Sequence, residues 1–355
     1  MKNMKFTNII AFTISLLLVL IGCDVPKDRS QIDENYHNIT GKAQGTTYSI
    51  TFLDSTGKKF SNEMADSIFD AIDNSLSVWN KASTISEFNT KDSMWVSDPL
   101  FLSMYFRSHE ISELTQGAFQ PMIMPVVRAW GFGPDGVHPK GDLNTDSLMV
   151  LVNTPLKISA ADSLSENDQP TYLITKLKDQ ELDVNGIAKG FTVDLIGVFL
   201  KEKGIKNFMI EVGGEILVNG VNNKGEIWHI GIDKPVDPEE DRELLAIAEI
   251  NNRAVATSGS YRKFYESNGK RYSHTIDPNT GKPVDHSLLS ATVLAPNCAN
   301  ADAFATAFMV MGLEKSKQFL VDHPDLELDV YLIYAEDDSL KTYMTTGLKE
   351  ILKEI

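Results

Sequence analysis

Cysteine is scarce in this sequence: Cys23 and Cys298 are the two among 355 residues. That count excludes a framework of several disulfides. Basic residues are also short, with 33 Lys and Arg against 49 Asp and Glu. So acidic a chain lacks the phosphate-neutralising surface that drives general nucleic-acid binding, although a locally basic pocket could still hold an anion. The apolar run at residues 9–21 is too short for a comfortable membrane span, which needs about 20 apolar residues. No internal repeat is present. Glycines cluster at residues 186–190 and 213–214. Neither cluster has the G-x-G-x-x-G spacing of a dinucleotide site or the G-x-x-x-x-G-K-[ST] spacing of a phosphate loop.

What is present starts at the N-terminus. Lys2 and Lys5 precede the apolar run, which ends in Leu20-Ile21-Gly22-Cys23. A positive flank, a short apolar core and a small residue before a cut make a secretory signal. With leucine three before the cysteine, it resembles the bacterial lipoprotein signal, which implies cleavage after Gly22 and diacylation of Cys23. An ordinary cleaved signal or an uncleaved anchor is the alternative. Two or three acyl chains, at about 0.8 kcal/mol per buried methylene, hold where one does not. The lipid reading places the protein outside the cytoplasm on a bacterial membrane, at the periplasmic side of the inner membrane. It also consumes Cys23, which leaves Cys298 without a partner for a disulfide or a cysteine metal site. Loss of Lys2 and Lys5 with the signal leaves a side-chain charge of 31 − 49 = −18. The expected organisation is a signal over 1–22, a polar tether over 23–38 and one large domain over 39–355.

Within the domain, residues 47–53 alternate as a strand. Met64, Ile68, Ile72 and Leu76 recur every four residues and predict a helix over 62–76. A second helix is expected over 99–115, with proline near its start and Gly117 beyond its end. Residues 119–136 hold several prolines, glycines and large apolar side chains with no period. They form either a packed connector or the wall of an aromatic-binding pocket. Residues 143–152 read as a short helix or strand. Phe191, Leu195, Ile196 and Phe199 mark the buried face of a helix ending near Gly204. Short strands are expected over 208–211, 216–218, 228–232, 246–251, 254–257, 288–294 and 330–335, the last before a short terminal helix. A tight turn at 277–281 and a buried helix over 300–311, closed by Gly312, complete the pattern. Helices and strands do not alternate regularly, so the fold class is α+β with mixed, largely antiparallel sheets rather than a doubly wound sheet.

Three features carry chemistry. Asp302 and Thr306 lie one turn apart on one face of an otherwise apolar helix. A carboxylate there is costly unless something compensates its desolvation, and a hard cation such as Mg²⁺ would do so. Alternatively Asp302 caps the helix and Thr306 bonds to its own backbone. Lys189 sits in the first turn of a helix, where a cation opposes the dipole and a phosphate would relieve the conflict; a surface lysine on a tight turn is the other reading. Arg262, Lys263, Lys270, Arg271 and His274 form a basic cluster, and His274 can exchange a proton near neutral pH. A solvated hairpin explains that cluster equally well.

Taken in order, seven segments resemble the ApbE family. They are Gly45-Thr46-Thr47-Tyr48, Phe119-Gln120-Pro121 with Trp130-Gly131-Phe132-Gly133, residues 183–190 (DVNGIAKG), Val212-Gly213-Gly214-Glu215-Ile216, Ala256-Thr257-Ser258-Gly259, residues 274–281 (HTIDPNTG), and Ala301-Asp302-Ala303 with Thr306. The resemblance implies transfer of FMN from FAD to a threonine or serine hydroxyl of another protein, with release of AMP. The implied acceptors are flavoprotein subunits of membrane redox complexes. It implies Mg²⁺ held by Asp302, Thr306 and a backbone carbonyl near Ala188, and His274 as base with Asp277 holding or orienting it. Lys189 and Arg262 are the implied phosphate contacts. A central cleft would take the flavin between Phe119, Trp130, Gly131 and Phe132 and the segment of Thr46 and Tyr48. Asn185, Gly213, Gly214, Glu215, Thr257 and Ser258 would complete its polar rim. Hydrolysis of FAD to FMN and AMP, or flavin binding without turnover, are the competing functions.

Overall fold

The structure, a computed structural model, describes residues 35–54, 60–134, 136, 139, 143–161, 170–235, 243–260, 264–267, 270–337 and 339–355. The expected signal, Cys23 and Arg262 lie outside the described residues. Eight strands form one antiparallel sheet whose spatial order is the chain order. They are β1 (Tyr36–Ala43), β2 (Thr46–Leu53), β3 (Phe208–Val212), β4 (Glu215–Asn219), β5 (Arg253–Gly259), β6 (Leu288–Ala295), β7 (Asp329–Glu336) and β8 (Ser339–Met344). Small sheets of two or three strands surround it. The α+β expectation holds, and β1 begins at Tyr36, inside the span read as tether.

The helices are α1 (Asn62–Leu76), α2 (Thr84–Thr90), α3 (Pro99–Leu114), α4 (Met124–Ala129), α5 (Asp146–Asn153), α6 (Ala188–Glu202), α7 (Cys298–Asp322) and α8 (Thr346–Lys349). Local chemistry sets their starts: Ser61 accepts the Met64 amide, and Asp98 accepts those of Leu100 and Phe101 beside Pro99. On one sheet face Ile50, Phe208, Ile210 and Ala256 bury against Val193, Ile196 and Leu200 of α6 and Ala301 of α7. On the other, Val218, Val255 and Leu294 meet the three-stranded sheet of Trp228, Ile230 and Ala248. Both faces of the central strands are therefore dry, which is why residues 288–295 read as a nearly unbroken apolar run.

Two expectations change. The helix over 300–311 does not stop at Gly312: α7 runs from Cys298 to Asp322 and kinks there, with Gly312 at φ 73. Ser316 donates to the Gly312 carbonyl at 2.7 Å, and Phe319 packs on Phe304 and Phe308, so helix resumes beyond the kink. Nor is 330–335 the last strand, because β8 and Leu352–Glu354 follow and α8 is four residues long. The first four residues of the edge strand β8 are exposed, and without a dry face it carries no apolar alternation.

Register sorts the sheet into two ends. At one, Tyr36 lies opposite Leu53, Phe52 opposite Phe208, and Phe208 opposite Asn219. At the other, Ala43 faces Thr46, Tyr48 faces Val212, and Val212 faces Glu215. The second end carries the site.

Candidate active site

Helix α6 begins without a side-chain cap of its own. Its first turn is capped from another helix: the Gly190 amide donates to Asp302 Oδ2 of α7 at 3.1 Å. The exchange is reciprocal. Asp194 of α6 accepts the amides of Cys298 and Ala299, the first two of α7, at 2.8 and 2.9 Å. The helices pass so closely that a Cβ on Gly190 would lie 2.3 Å from the Cys298 carbonyl oxygen. One turn beyond Asp302, Thr306 Oγ1 lies 3.4 Å from Ser258 Oγ at the end of β5. A Cβ on Gly186 would lie 3.2 Å from Thr306 Oγ1 and 3.3 Å from the Phe119 ring. The glycine turn, Asp302, Thr306, Ser258 and Phe119 are thus brought together.

Charge concentrates at the same place. Lys189 pairs with Glu215 Oε2, yet that oxygen accepts no well-directed hydrogen bond. Glu215 and Asp302 are each 4% exposed. Burial pushes the Glu215 carboxyl up, Asp302 pushes it further, and Lys189 only partly offsets both. Burial likewise raises Asp302 against the pull of Lys189 and the Gly190 amide. For Lys189, burial acts downward, but the two carboxylates outweigh it and the net direction is up. Two buried acids share one ammonium, and the site is short of positive charge.

Around this centre lie the remaining expected residues. Gly213 and Gly214 form the β3–β4 turn, where the Gly213 amide donates to Thr47 O at 3.1 Å and Thr46 packs against Gly213. Glu211 accepts the Gly214 amide at 2.7 Å. An open cavity of about 540 Å³ is lined by residues 42–47. Asn185 is exposed on the turn, its amide donating to Asp183. The Ala188 carbonyl accepts from Thr192 Oγ1 at 2.8 Å, and Thr257 Oγ1 lies 2.9 Å from Thr292 Oγ1.

Several expected residues take other places. Tyr48 is buried against Phe69, with its hydroxyl donating to Asp66 at 3.2 Å. Trp130, 1% exposed, donates its indole N–H to Gly281 O at 2.8 Å and packs on Tyr272. It supports the 277–281 turn and offers no open face to a ligand. Asp277 spends both oxygens in that turn, accepting from the Asn279 amide at 2.9 Å and from Thr280 Oγ1 at 3.2 Å. His274, at the mouth of this turn, lies edge-on to the half-buried Phe132, with ring centroids 6.4 Å apart. Gly131 is buried beside Phe132.

Among the described residues no group of three or more His, Cys, Asp or Glu is placed to hold a metal. The donors that converge are the Asp302 carboxylate and the hydroxyls of Thr306 and Ser258. That oxygen set fits a hard cation retaining several waters, and the buried, under-neutralised carboxylates of Asp302 and Glu215 fit it electrostatically.

Residues 44–330 match the ApbE family. The chain belongs to the ApbE family. It is 32% identical over 348 residues to the FAD:protein FMN transferase of Vibrio cholerae serotype O1, covering 95% of this chain and 97% of that one. It is also 32% identical over 355 residues to the FAD:protein FMN transferase of Escherichia coli K12, at 99% and 98% coverage. Its fold superposes on the flavin transferase ApbE from Vibrio cholerae with a TM-score of 0.71 and 30% identity, covering 89% and 99% of the two chains. With the apo form of Pseudomonas stutzeri flavinyl transferase ApbE the TM-score is 0.74, at 28% identity and 89% and 96% coverage.

Sequence reasoning gave no role to two residues of this ApbE chain that build the site. Asp194 is a carboxylate in a helix with an apolar buried face, the same signal that singled out Asp302. Gly190 carried no signal of its own, since only the packed pair of helices shows why a side chain is excluded there.

Proposed function

We propose that this protein is an exported, lipid-anchored FAD:protein FMN transferase that requires Mg²⁺, joins FMN through its phosphate to a threonine or serine hydroxyl, and releases AMP. The observation that supports this reading most is the convergence of Asp302, Thr306, Ser258 and the first turn of α6 at one end of the sheet. Asp302 and Thr306, with a backbone carbonyl of the 185–189 turn, would hold the Mg²⁺, which supplies neutralisation of pyrophosphate charge and of the departing AMP phosphate. Lys189 contacts the flavin phosphates, and the Mg²⁺ would answer the carboxylates that otherwise hold its ammonium. Arg262 adds a second phosphate contact. His274 accepts the proton of the attacking hydroxyl, and Asp277 and Trp130 hold its turn. The acceptors are flavoprotein subunits of membrane redox complexes that carry a threonine or serine for FMN.

The test is to incubate the protein with FAD, Mg²⁺ and such a subunit and to weigh the subunit. An FMN-sized adduct on Thr or Ser, lost in Asp302→Ala, is expected. FMN and AMP released equally fast without acceptor would instead establish FAD hydrolysis. Bound FAD that never changes would reject both enzymatic readings.

A further inference from the structure

The main sheet holds the flavin site and the N-terminal entry of the chain apart. Thr46, Gly213, Glu215 and Ser258 mark the site end. Tyr36, the start of β1, lies at the other end, where the Leu53 amide bonds to Asn207 O at 2.9 Å just before β3. The 8 residues of β2, at roughly 3.3 Å each, put about 25 Å between the ends. Helix α6 runs the same way, and its 12 steps from Lys189 beside Glu215 to Lys201 over the Phe208 ring give an independent span of about 18 Å.

The far end carries a cluster of three lysines, with exposed Glu63, Glu226 and Glu327 elsewhere at that end. Lys201, Lys203 and Lys206 are exposed around the last turn of α6 and the start of β3, with Glu202 as the exposed acid among them. Lys201 and Lys203 lie over the rings of Phe208 and Phe199 at 6.0 and 5.2 Å. The Lys206 carbonyl accepts from Asn219 Nδ2, which ties that lysine to the end of β4. Between Cys23 and β1 there are 35 − 23 = 12 residues. Fully extended they reach roughly 40 Å, so an acylated Cys23 lets this end reach lipid, and the lysine cluster is what would hold it there.

We propose that the end bearing Lys201, Lys203 and Lys206 docks on an anionic bilayer and that the flavin site faces away from the membrane, about 25 Å above it. The proposal rests on reading Cys23 as the lipid anchor. Lysines near an anionic surface are attracted to it, which favours the orientation that brings this cluster down onto the lipid. The acceptor hydroxyl must then be carried on a segment that projects from the bilayer; a hydroxyl held at the lipid surface is out of reach.

The test uses the full-length lipidated protein on vesicles of phosphatidylcholine with or without phosphatidylglycerol. An acceptor peptide is coupled to the same lipids through a linker of about 10 Å or about 50 Å. On anionic vesicles the long-linked peptide should be flavinylated about tenfold faster or more. The triple variant Lys201→Glu, Lys203→Glu, Lys206→Glu should lose that preference while modifying a soluble acceptor at the wild-type rate. Equal rates on the two linkers, or a preference unchanged in the triple variant, overturn the proposal. Absence of acyl mass on Cys23 overturns the anchor and the orientation together. If the soluble acceptor is never modified, the FMN-transfer reading alone fails, and orientation is read without catalysis. In that arm a fluorophore at Lys224→Cys should be quenched by labelled headgroups more strongly than one at Lys42→Cys, and the reverse order overturns docking.

Discussion

Asp194 and Asp302 cap each other's helices: Asp194 of α6 takes the first two amides of α7, and Asp302 of α7 takes the Gly190 amide in the first turn of α6. Each helix start is an electropositive end answered by a carboxylate from its neighbour. The pair sets the register between α6 and α7, and with it the position of Lys189 relative to Asp302 and Thr306.

Gly190 is where that register is least forgiving. A Cβ there would lie 2.3 Å from a backbone oxygen that no rotamer can move. Gly190→Ala should therefore force the helices apart and cost about 2–3 kcal/mol in urea unfolding, the upper range for overpacking. FMN transfer should fall with it, since the Asp302 cap is the contact that separates. Wild-type stability in this variant would show that the helices are not locked.

Asp302 is held at the expense of the apo protein. Its folded pKa is raised by burial, so its charged form is disfavoured relative to the unfolded chain, and that cost is present once the pH exceeds the unfolded carboxylate value. Asp302→Asn keeps an acceptor for the Gly190 amide and removes the charge. Thermal melts without Mg²⁺ at pH 7 should show a gain of about 2–4 °C, corresponding to about 1 kcal/mol. Transfer activity should drop by about a hundredfold or more, as for loss of a group that stabilises transferring phosphate.

Asp194 offers a pH signature. Burial raises its folded pKa to about 6 against the amides of Ala299 and Cys298, which act to lower it. From about pH 4 to about pH 6 the folded state binds this proton and the unfolded state does not, so this group's contribution to stability falls as pH rises through that window. Asp194→Asn does not titrate. Melting temperatures measured at intervals across the window should show wild type losing ground steadily to the variant, and a constant difference would contradict the assignment.

Lys189 and Glu215 should behave as a unit. Removing the ammonium in Lys189→Ala leaves two buried carboxylates without their cation. A broken buried pair costs about 3–5 kcal/mol; with the Lys189 side chain 30% exposed, about 2–3 kcal/mol is expected. Glu215 can relieve the loss by taking a proton, so the destabilisation should grow as the pH is raised past neutrality. In a double-mutant cycle Glu215→Gln should recover most of it, and additive losses would show that the two do not interact.

Parts of this site were legible in the residue order because they are local. Asp302 and Thr306 stand four apart in a run of alanine and phenylalanine, and helical geometry alone puts both oxygens on one face. The helix at 62–76 carried its own cap and period, and that at 99–114 its own cap and N-terminal proline. The segment around Trp130 was not legible, because an aperiodic stretch serves equally as pocket wall or as packed support. Only the bond from its indole to Gly281 decides for support. The continuation of α7 beyond Gly312 was hidden for a similar reason: a glycine that ends most helices here only bends one, because Phe319 returns to the core.

By itself the sequence determined the α+β class, the main helices, the acidic balance and the residue types that can hold a phosphate and a hard cation. Each of these follows from composition or from spacing within a few turns of chain. Tertiary structure decided which of them meet: the lysine at 189 with the glutamate at 215, the aspartates at 194 and 302 with each other's helices, and the site with the opposite end of the sheet from Tyr36. Those pairings join residues far apart in the chain, and sheet register and helix packing set them, quantities that no local pattern encodes.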